Sequence, residues 1–165
     1  LVGNGPPIGL ILRKASRMGI GRNIVFAGYV NRDLLVRLYQ NASVSVLPSH
    51  YEGLPTVMLE AMSCGIPVVA TRIGGHVDAI SDGSNGFLVR AESPEEMAKY
   101  ILRLLDDKNL RERMGRAARE TIEKTYTWNK VSERALDCYE RLLSNVIHEK
   151  GMTKISSAYI ALGLR

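Results

Sequence analysis

Residues 48–71 read PSHYEGLPTVMLEAMSCGIPVVAT, and the fold turns on how this stretch divides. A β-branched run over residues 43–47 (SVSVL) ends against Pro48, so a strand stops there. A polar loop with Tyr51, Glu52 and Gly53 follows. Pro55 then stands at the first position of a helix over residues 55–63, which Gly65 stops. Residues 66–71 (IPVVAT) return to strand composition. Strand, helix and strand in so short a span is a βαβ unit, and that unit requires parallel strands.

The same alternation continues outward. Residues 1–3 read as the end of a strand running into Gly3-Asn4-Gly5-Pro6-Pro7. A helix fits residues 8–18, with Ile8, Ile11, Leu12 and Ala15 at helical spacing. A strand is predicted at residues 23–28 (NIVFAG) and a helix at 33–41. Downstream lie Gly74-Gly75, a short helical turn at 77–80, dense turn chemistry at 81–86 and a strand at 87–90. Ser93-Pro94-Glu95-Glu96 combines a cap, an early proline and first-turn acids, so it starts a helix. Helices then occupy 94–106, 109–125 and 128–149. The class is α/β: a Rossmann-like parallel sheet flanked by helices, with a helical carboxyl-terminal extension. Residues 1–150 form one domain, and 151–165 form a tail that is either flexible or docked. The strands are short apolar runs, as sheets covered on both faces require. Ligands of such sheets bind beyond the carboxyl ends of the strands.

Composition excludes several classes. The 22 basic and 17 acidic side chains give a net charge of +5, which raises the question of nucleic acid. Residues 1–93 carry 8 basic and 6 acidic groups, 94–150 carry 12 and 11, and 151–165 carry 2 and 0. No segment concentrates the surplus, and Arg111, Arg113, Arg116 and Arg119 alternate with Glu112 and Glu120. That is a solvated helix face, not a phosphate-binding stripe, so no nucleic-acid partner is expected. No apolar run reaches the roughly 18 residues of a membrane span. Cys64 and Cys138 form no CxxC, Cys64 packs as a small hydrophobe, and a reducing cytosol is the default setting. His50, His76 and His148 show no ligand spacing, so no metal is expected. His76 follows Gly74-Gly75 at the edge of the predicted site and reads as a loop histidine without a role.

The chemistry concentrates in residues 52–60. A helix that starts on Pro55 offers the amides of Thr56, Val57 and Met58, and such a terminus attracts phosphate. Glu60 is the only charge in a helix apolar nearly all round, so the helix is expected to be buried. A buried carboxylate needs a partner. Either another residue satisfies Glu60 inside the core, or it faces a pocket and accepts from a ligand hydroxyl. Glu52 lies in the loop at the strand's carboxyl end, where a carboxylate accepts from sugar hydroxyls. Together these features describe a site for a sugar attached to a phosphate.

These residues resemble the carboxyl-terminal domain of the group 1 (family 4) glycosyltransferases, which have the two-domain GT-B architecture. Their Glu-x7-Glu signature is matched by Glu52, Gly53, Leu59, Glu60, Ala61, Met62, Gly65, Pro67, Val68, Val69, Ala70 and Thr71. Further matches are Gly3-Asn4-Gly5-Pro6, residues 25–30 (VFAGYV), Leu47-Pro48-Ser49, Gly74-Gly75, residues 85–89 (NGFLV) and Tyr126-Thr127-Trp128. The resemblance implies transfer of a sugar from a nucleotide-diphosphate sugar, UDP or GDP, to an acceptor hydroxyl with retention of configuration, and no cofactor. It implies that Glu60 binds ribose hydroxyls and that Glu52, the candidate catalytic residue, touches the donor sugar without being assigned as nucleophile or base. Gly53 and Leu54 would lie beside the sugar, the amides of Thr56 and Val57 would hold the diphosphate, and Val30 would border the nucleobase. It also implies a cytoplasmic enzyme, with the inner face of a membrane as the alternative location.

Departures from the family pattern are equally informative. The chain opens at Leu1, partway into a strand, and reads as a fragment lacking the domain's first strand–helix unit. That unit would supply the central strand of a 3-2-1-4-5-6 sheet and an Arg–Lys clamp on the diphosphate. The acceptor-binding amino-terminal domain would come from a longer chain or a partner, and by itself the fragment is expected to be inactive. Leu54-Pro55-Thr56 replaces the common Phe-Gly-Leu, and Asp78 stands where Glu is usual. The alternative reading is a non-catalytic nucleotide-binding or oligomerising remnant of such an enzyme.

Overall fold

Three short segments form the sheet: β1 (Ser45–Leu47), β2 (Val68–Thr71) and β3 (Gly86–Val89), in the order β1-β2-β3. β2 and β3 are buried throughout, whereas β1, against the expectation of strands covered on both faces, is only half-buried. All pairs are parallel, with Val46 beside Val69 and Val69 beside Phe87. The computed structural model describes residues 1–3 and 8–149. The helices are α1 (Ile8–Arg17), α2 (Arg32–Gln40), α3 (Thr56–Ser63), α4 (Gly74–Ala79), α5 (Pro94–Asp106), α6 (Lys108–Thr121) and α7 (Trp128–Glu149). The α/β reading therefore holds: α3 connects β1 to β2, and α4 connects β2 to β3.

The period of two along each strand decides what the sheet covers. Val69, Phe87 and Val89 point to one side and form a core with Met97, Leu104, Leu110 and Met114 of α5 and α6. Phe87 stacks on Tyr100 at a ring separation of 4.3 Å. The alternate residues Val68, Ala70 and Leu88 are buried as well. Met58 and Met62 of α3, which packs on β1 and β2, are wholly buried. Between α3 and β2 the chain turns through Gly65, and a Cβ on Gly115 would meet the Gly65 carbonyl oxygen at 2.1 Å. A glycine is thus required in α6 for this approach.

Two predicted elements come out differently. Residues 23–28 are not a strand: Gly21–Asn23 is a 3-10 turn, and only an isolated parallel bridge joins Val2 to Gly28. Backbone bonds from Ala27 to Leu1 (2.9 Å) and from Gly3 to Gly28 (2.8 Å) run along this short pairing. Val25 in this segment is exposed, so its β-branched side chain is not held in the core as the strand reading requires. Among the described residues no strand pairs with the other edge of β1, and Val46 there is 39% exposed. The predicted helix 109–125 gives way after Thr121 to a π-helical turn, Ile122–Tyr126. The start of α5 also differs in detail. Pro94 is in its first turn as expected, yet the Ser93 side chain makes no capping bond. Glu96 instead turns back to accept from the Arg90 backbone N–H at 3.1 Å. That bond, with the Arg90 charge, holds the Glu96 carboxyl below its ordinary range.

The chain divides into two units, Leu1–Arg119 and Glu120–Arg165. In the second, the Thr127 hydroxyl accepts from the Lys130 N–H at 3.3 Å near the start of α7. Ion pairs Lys130–Glu133 and Asp137–Arg141 lie along the same helix. Both cysteines are free; Cys64 ends α3 half-buried, and Cys138 is exposed on α7. Among the described residues no helix is long and apolar enough to cross a membrane. The predicted tail, 151–165, and the Asn4–Pro7 turn lie outside the described residues.

Candidate functional site

The helix α3 begins one residue later than the sequence predicts. Pro55 has an extended ψ of 124° and is the residue before the helix, not its first member. Its carbonyl accepts from Met58 N–H at 3.1 Å and from Leu59 N–H at 3.4 Å. Met58 is therefore satisfied, which corrects the expectation of three free amides. Thr56 and Val57 keep theirs, since no side chain caps the helix and the first amides of a helix have no partner within it.

Glu60 is exposed, contrary to the expectation of a buried helix. The reason is geometric. Met58, Ala61 and Met62, at i, i+3 and i+4, take the whole inward face, and Thr56, Val57 and Glu60 share the outward one. The Glu60 carboxylate needs no core partner, but it has a neighbour that the sequence reading missed. The Tyr39 hydroxyl of α2 lies 3.4 Å from Glu60 Oε2 and 3.2 Å from the Val57 carbonyl oxygen. Burial, the Glu60 charge and their hydrogen bond push the Tyr39 phenol up to about 12. It therefore stays protonated, a donor, across neutral pH. In sequence Tyr39 is one more residue of an amphipathic helix, with nothing to single it out. Val30 sits half-buried just before the Asn31 cap of α2, whose side chain accepts from Leu34 N–H at 2.9 Å. The segment carrying Val30 thus leads into the helix that carries Tyr39.

Glu52 is half-buried in the loop after β1, and Gly53 and Leu54 are exposed beside it. The loop is pinned from two directions. Ser49 Oγ donates to Glu52 Oε1 at 3.2 Å, and Thr71 Oγ1 donates to the Ser49 carbonyl at 2.5 Å. From the other side, α4 presses its first two residues against the loop backbone. A Cβ on Gly74 would lie 2.1 Å from the Glu52 carbonyl oxygen, and one on Gly75 would lie 1.7 Å from that of Gly53. Gly74-Gly75 is thus a seat for the Glu52 loop.

His76 departs from its sequence reading: it belongs to α4 and is wholly buried, where a loop histidine was expected. Its Nδ1 lies 2.7 Å from the Thr71 carbonyl. A carbonyl only accepts, so Nδ1 carries a proton, and Nε2 has no hydrogen-bond partner among the described residues. The signal available in sequence was the glycine pair, which places the next side chain under the loop rather than in solvent.

Beyond the carboxyl ends of the strands lies a cavity of about 190 Å³, walled by Pro48, His50, Thr71, Arg90, Glu92 and Met97. His50 Nδ1 is 3.9 Å from Glu92, which has a left-handed φ of 59°. Among the described residues no cluster of three or more His, Cys, Asp or Glu side chains could hold a metal ion. The arrangement offers hydroxyl acceptors at Glu52 and Glu60 with unbonded amides at Thr56 and Val57 between them in sequence.

Comparison with known proteins gives this geometry relatives. Residues 1–121 match the family described as glycosyl transferases group 1. An uncharacterized glycosyltransferase of Methanocaldococcus jannaschii is 35% identical over 124 residues, 75% of this chain and 32% of that protein. A mutant of TarM from S. aureus, solved in complex with Fondaparinux, alpha-GlcNAc-glycerol and UDP, is 31% identical with a TM-score of 0.76; the likeness covers 82% of this chain and 27% of that one. Sucrose-phosphate synthase from Thermosynechococcus elongatus is 28% identical with a TM-score of 0.79, over 88% of this chain and 38% of that one. The chain spans roughly a quarter to two fifths of the length of the curated relatives it matches, at 32%, 27% and 39% for three of them.

Proposed function

Because the chain belongs to the group 1 glycosyl transferases, we propose that it is the donor-binding portion of an enzyme that moves a sugar from a nucleotide-diphosphate sugar to an acceptor hydroxyl, with retention of configuration. The observation that carries this reading is the start of α3, where two unbonded amides and the Glu60 carboxylate share one exposed face directly after the Glu52 loop. Phosphate is held by helix-terminal N–H groups and repelled by carboxylates, whereas hydroxyls are bound by carboxylates. A ligand with diphosphate between ribose and sugar meets both demands. In this reading the amides of Thr56 and Val57 bind the diphosphate and Glu60 accepts from the ribose hydroxyls. Glu52 accepts from the donor sugar, with the backbone of Gly53 and Leu54 alongside, and Val30 borders the base.

The UDP in the TarM complex supports a uridine nucleotide over a guanosine one. The acceptor site and any cationic clamp on the diphosphate would come from the rest of a longer chain or a partner, which the fraction of each relative covered supports. Residues 1–150 would then be the donor domain and 151–165 its tail. Calorimetric titration of the intact chain and of Glu60→Ala with UDP tests the assignment. Losing a charge-assisted hydrogen-bond acceptor should weaken binding by about 1–3 kcal/mol. Equal affinity in the two proteins would refute the role given to Glu60.

A further inference from the structure

We propose that the Thr71 hydroxyl, acting through Ser49, sets the orientation of the Glu52 carboxylate, so that Thr71 and Ser49 are positioning residues of the donor-sugar subsite. The functional half of this inference rests on the reading of Glu52 given above; the structural half stands on its own. Three hydrogen bonds run in series. His76 Nδ1–H donates to the Thr71 carbonyl at 2.7 Å, Thr71 Oγ1 to the Ser49 carbonyl at 2.5 Å, and Ser49 Oγ to Glu52 Oε1 at 3.2 Å. Every acceptor is a carbonyl or a carboxylate, so the direction of each bond is fixed. The series begins on a wholly buried side chain and ends on a half-buried carboxylate.

Thr71 is the point on which the series depends. It is 3% exposed at the end of a strand whose other members, Val68, Val69 and Ala70, are apolar. Its backbone pairs with Val89, and that ladder needs no hydroxyl. A buried hydroxyl costs free energy unless it is bonded, and the short bond here goes to the loop that carries Glu52. A second, longer contact to the Leu47 carbonyl, at 3.5 Å, falls on the end of the neighbouring strand. The hydroxyl therefore ties the first half of the loop to β2, while Gly74 and Gly75 seat the second half. With Oε1 engaged by Ser49, Glu52 Oε2 has no hydrogen bond among the described residues and is available to a ligand.

Thr71→Val is nearly isosteric and removes only the donor, whereas Thr71→Ser keeps it. In the ligand-free intact chain, the 13C resonance of the Glu52 side-chain carboxyl should shift in T71V toward its position in Ser49→Ala and stay near wild type in T71S. An unmoved resonance in T71V overturns the proposal; should T71V fail to fold, the smaller Thr71→Ala is read in the same way. Calorimetry with UDP and with UDP-glucose then separates a local tie from a positioning role. T71V should bind UDP-glucose about three- to tenfold more weakly, the worth of one hydrogen bond, with UDP affinity within about twofold of wild type. Equal losses for both probes overturn the positioning role. Wild-type protein that binds neither probe refutes the donor-binding reading instead, and the Glu52 resonance still decides the tie.

Discussion

Gly75→Ala is the substitution that most directly tests how the Glu52 loop is seated. The added methyl carbon would fall 1.7 Å from the Gly53 carbonyl oxygen, 2.5 Å from the Gly53 carbonyl carbon and 2.7 Å from Leu54 Cα. All three obstacles are backbone, so no rotamer change relieves them. Restoring ordinary van der Waals separation requires the loop to retreat by roughly 2 Å. Overpacking of this kind typically costs about 1–3 kcal/mol. Gly53 and Leu54 are exposed, so the loop gives way before the core does, and the lower half of that range is expected. Thermal unfolding followed by circular dichroism should show a midpoint lowered by about 2–8 °C, and UDP titration should show weakened binding. Gly53→Ala is the matched control: a Cβ there meets nothing within 4 Å, so its midpoint should stay close to wild type. A Gly75→Ala protein that melts with the wild type and binds UDP equally well would refute the seating argument.

Two further outcomes follow from the packing and the electrostatics. The folded chain holds the Tyr39 proton more tightly than the unfolded chain does, so the associated stability is whole below pH 10 and is lost as the pH rises from 10 towards about 12. Tyr39→Phe should flatten that part of the alkaline limb in urea titrations, and an identical limb in both proteins would contradict the Tyr39–Glu60 contact. Leu104 is wholly buried in the core with Phe87, Met97 and Met114, so Leu104→Ala should destabilise by about 2–5 kcal/mol in chemical denaturation. A loss below about 1 kcal/mol would mean that this core is looser than described.

The β-branched runs and the residues between them made the parallel sheet legible, because a strand buried on both faces has little choice of composition. Residues 23–28 have the same composition and still form no strand, since pairing depends on a partner that a local pattern cannot show. Glu60 illustrates a second limit. The apolar content of α3 suggested burial all round, but burial is set by direction, and Met58, Ala61 and Met62 fill the inward face by themselves. The displacement of Pro55 from first helical residue to cap turned on a single ψ angle, which sequence does not encode. The contacts of Tyr39 and Thr71 were beyond reach for a common reason. Each acts on a residue from another element, across separations of 21 for Tyr39–Glu60 and 22 for Thr71–Ser49, so no local pattern shows the partner. The glycines at 74 and 75 were visible, but their purpose, a seat for backbone 22 residues earlier, was not.

The start of α3 also bears on how such a site ages. The donors at Thr56 and Val57 are main-chain amides, left unbonded because Pro55 has no side-chain acceptor to cap them and its carbonyl is taken by the Met58 and Leu59 amides. Any residue except proline supplies the same N–H, so mutation can rewrite both side chains without erasing either donor. Inheritance then acts on two separable layers. The backbone geometry persists while the side chains drift, so this exposed face can change its chemistry without losing its two N–H groups.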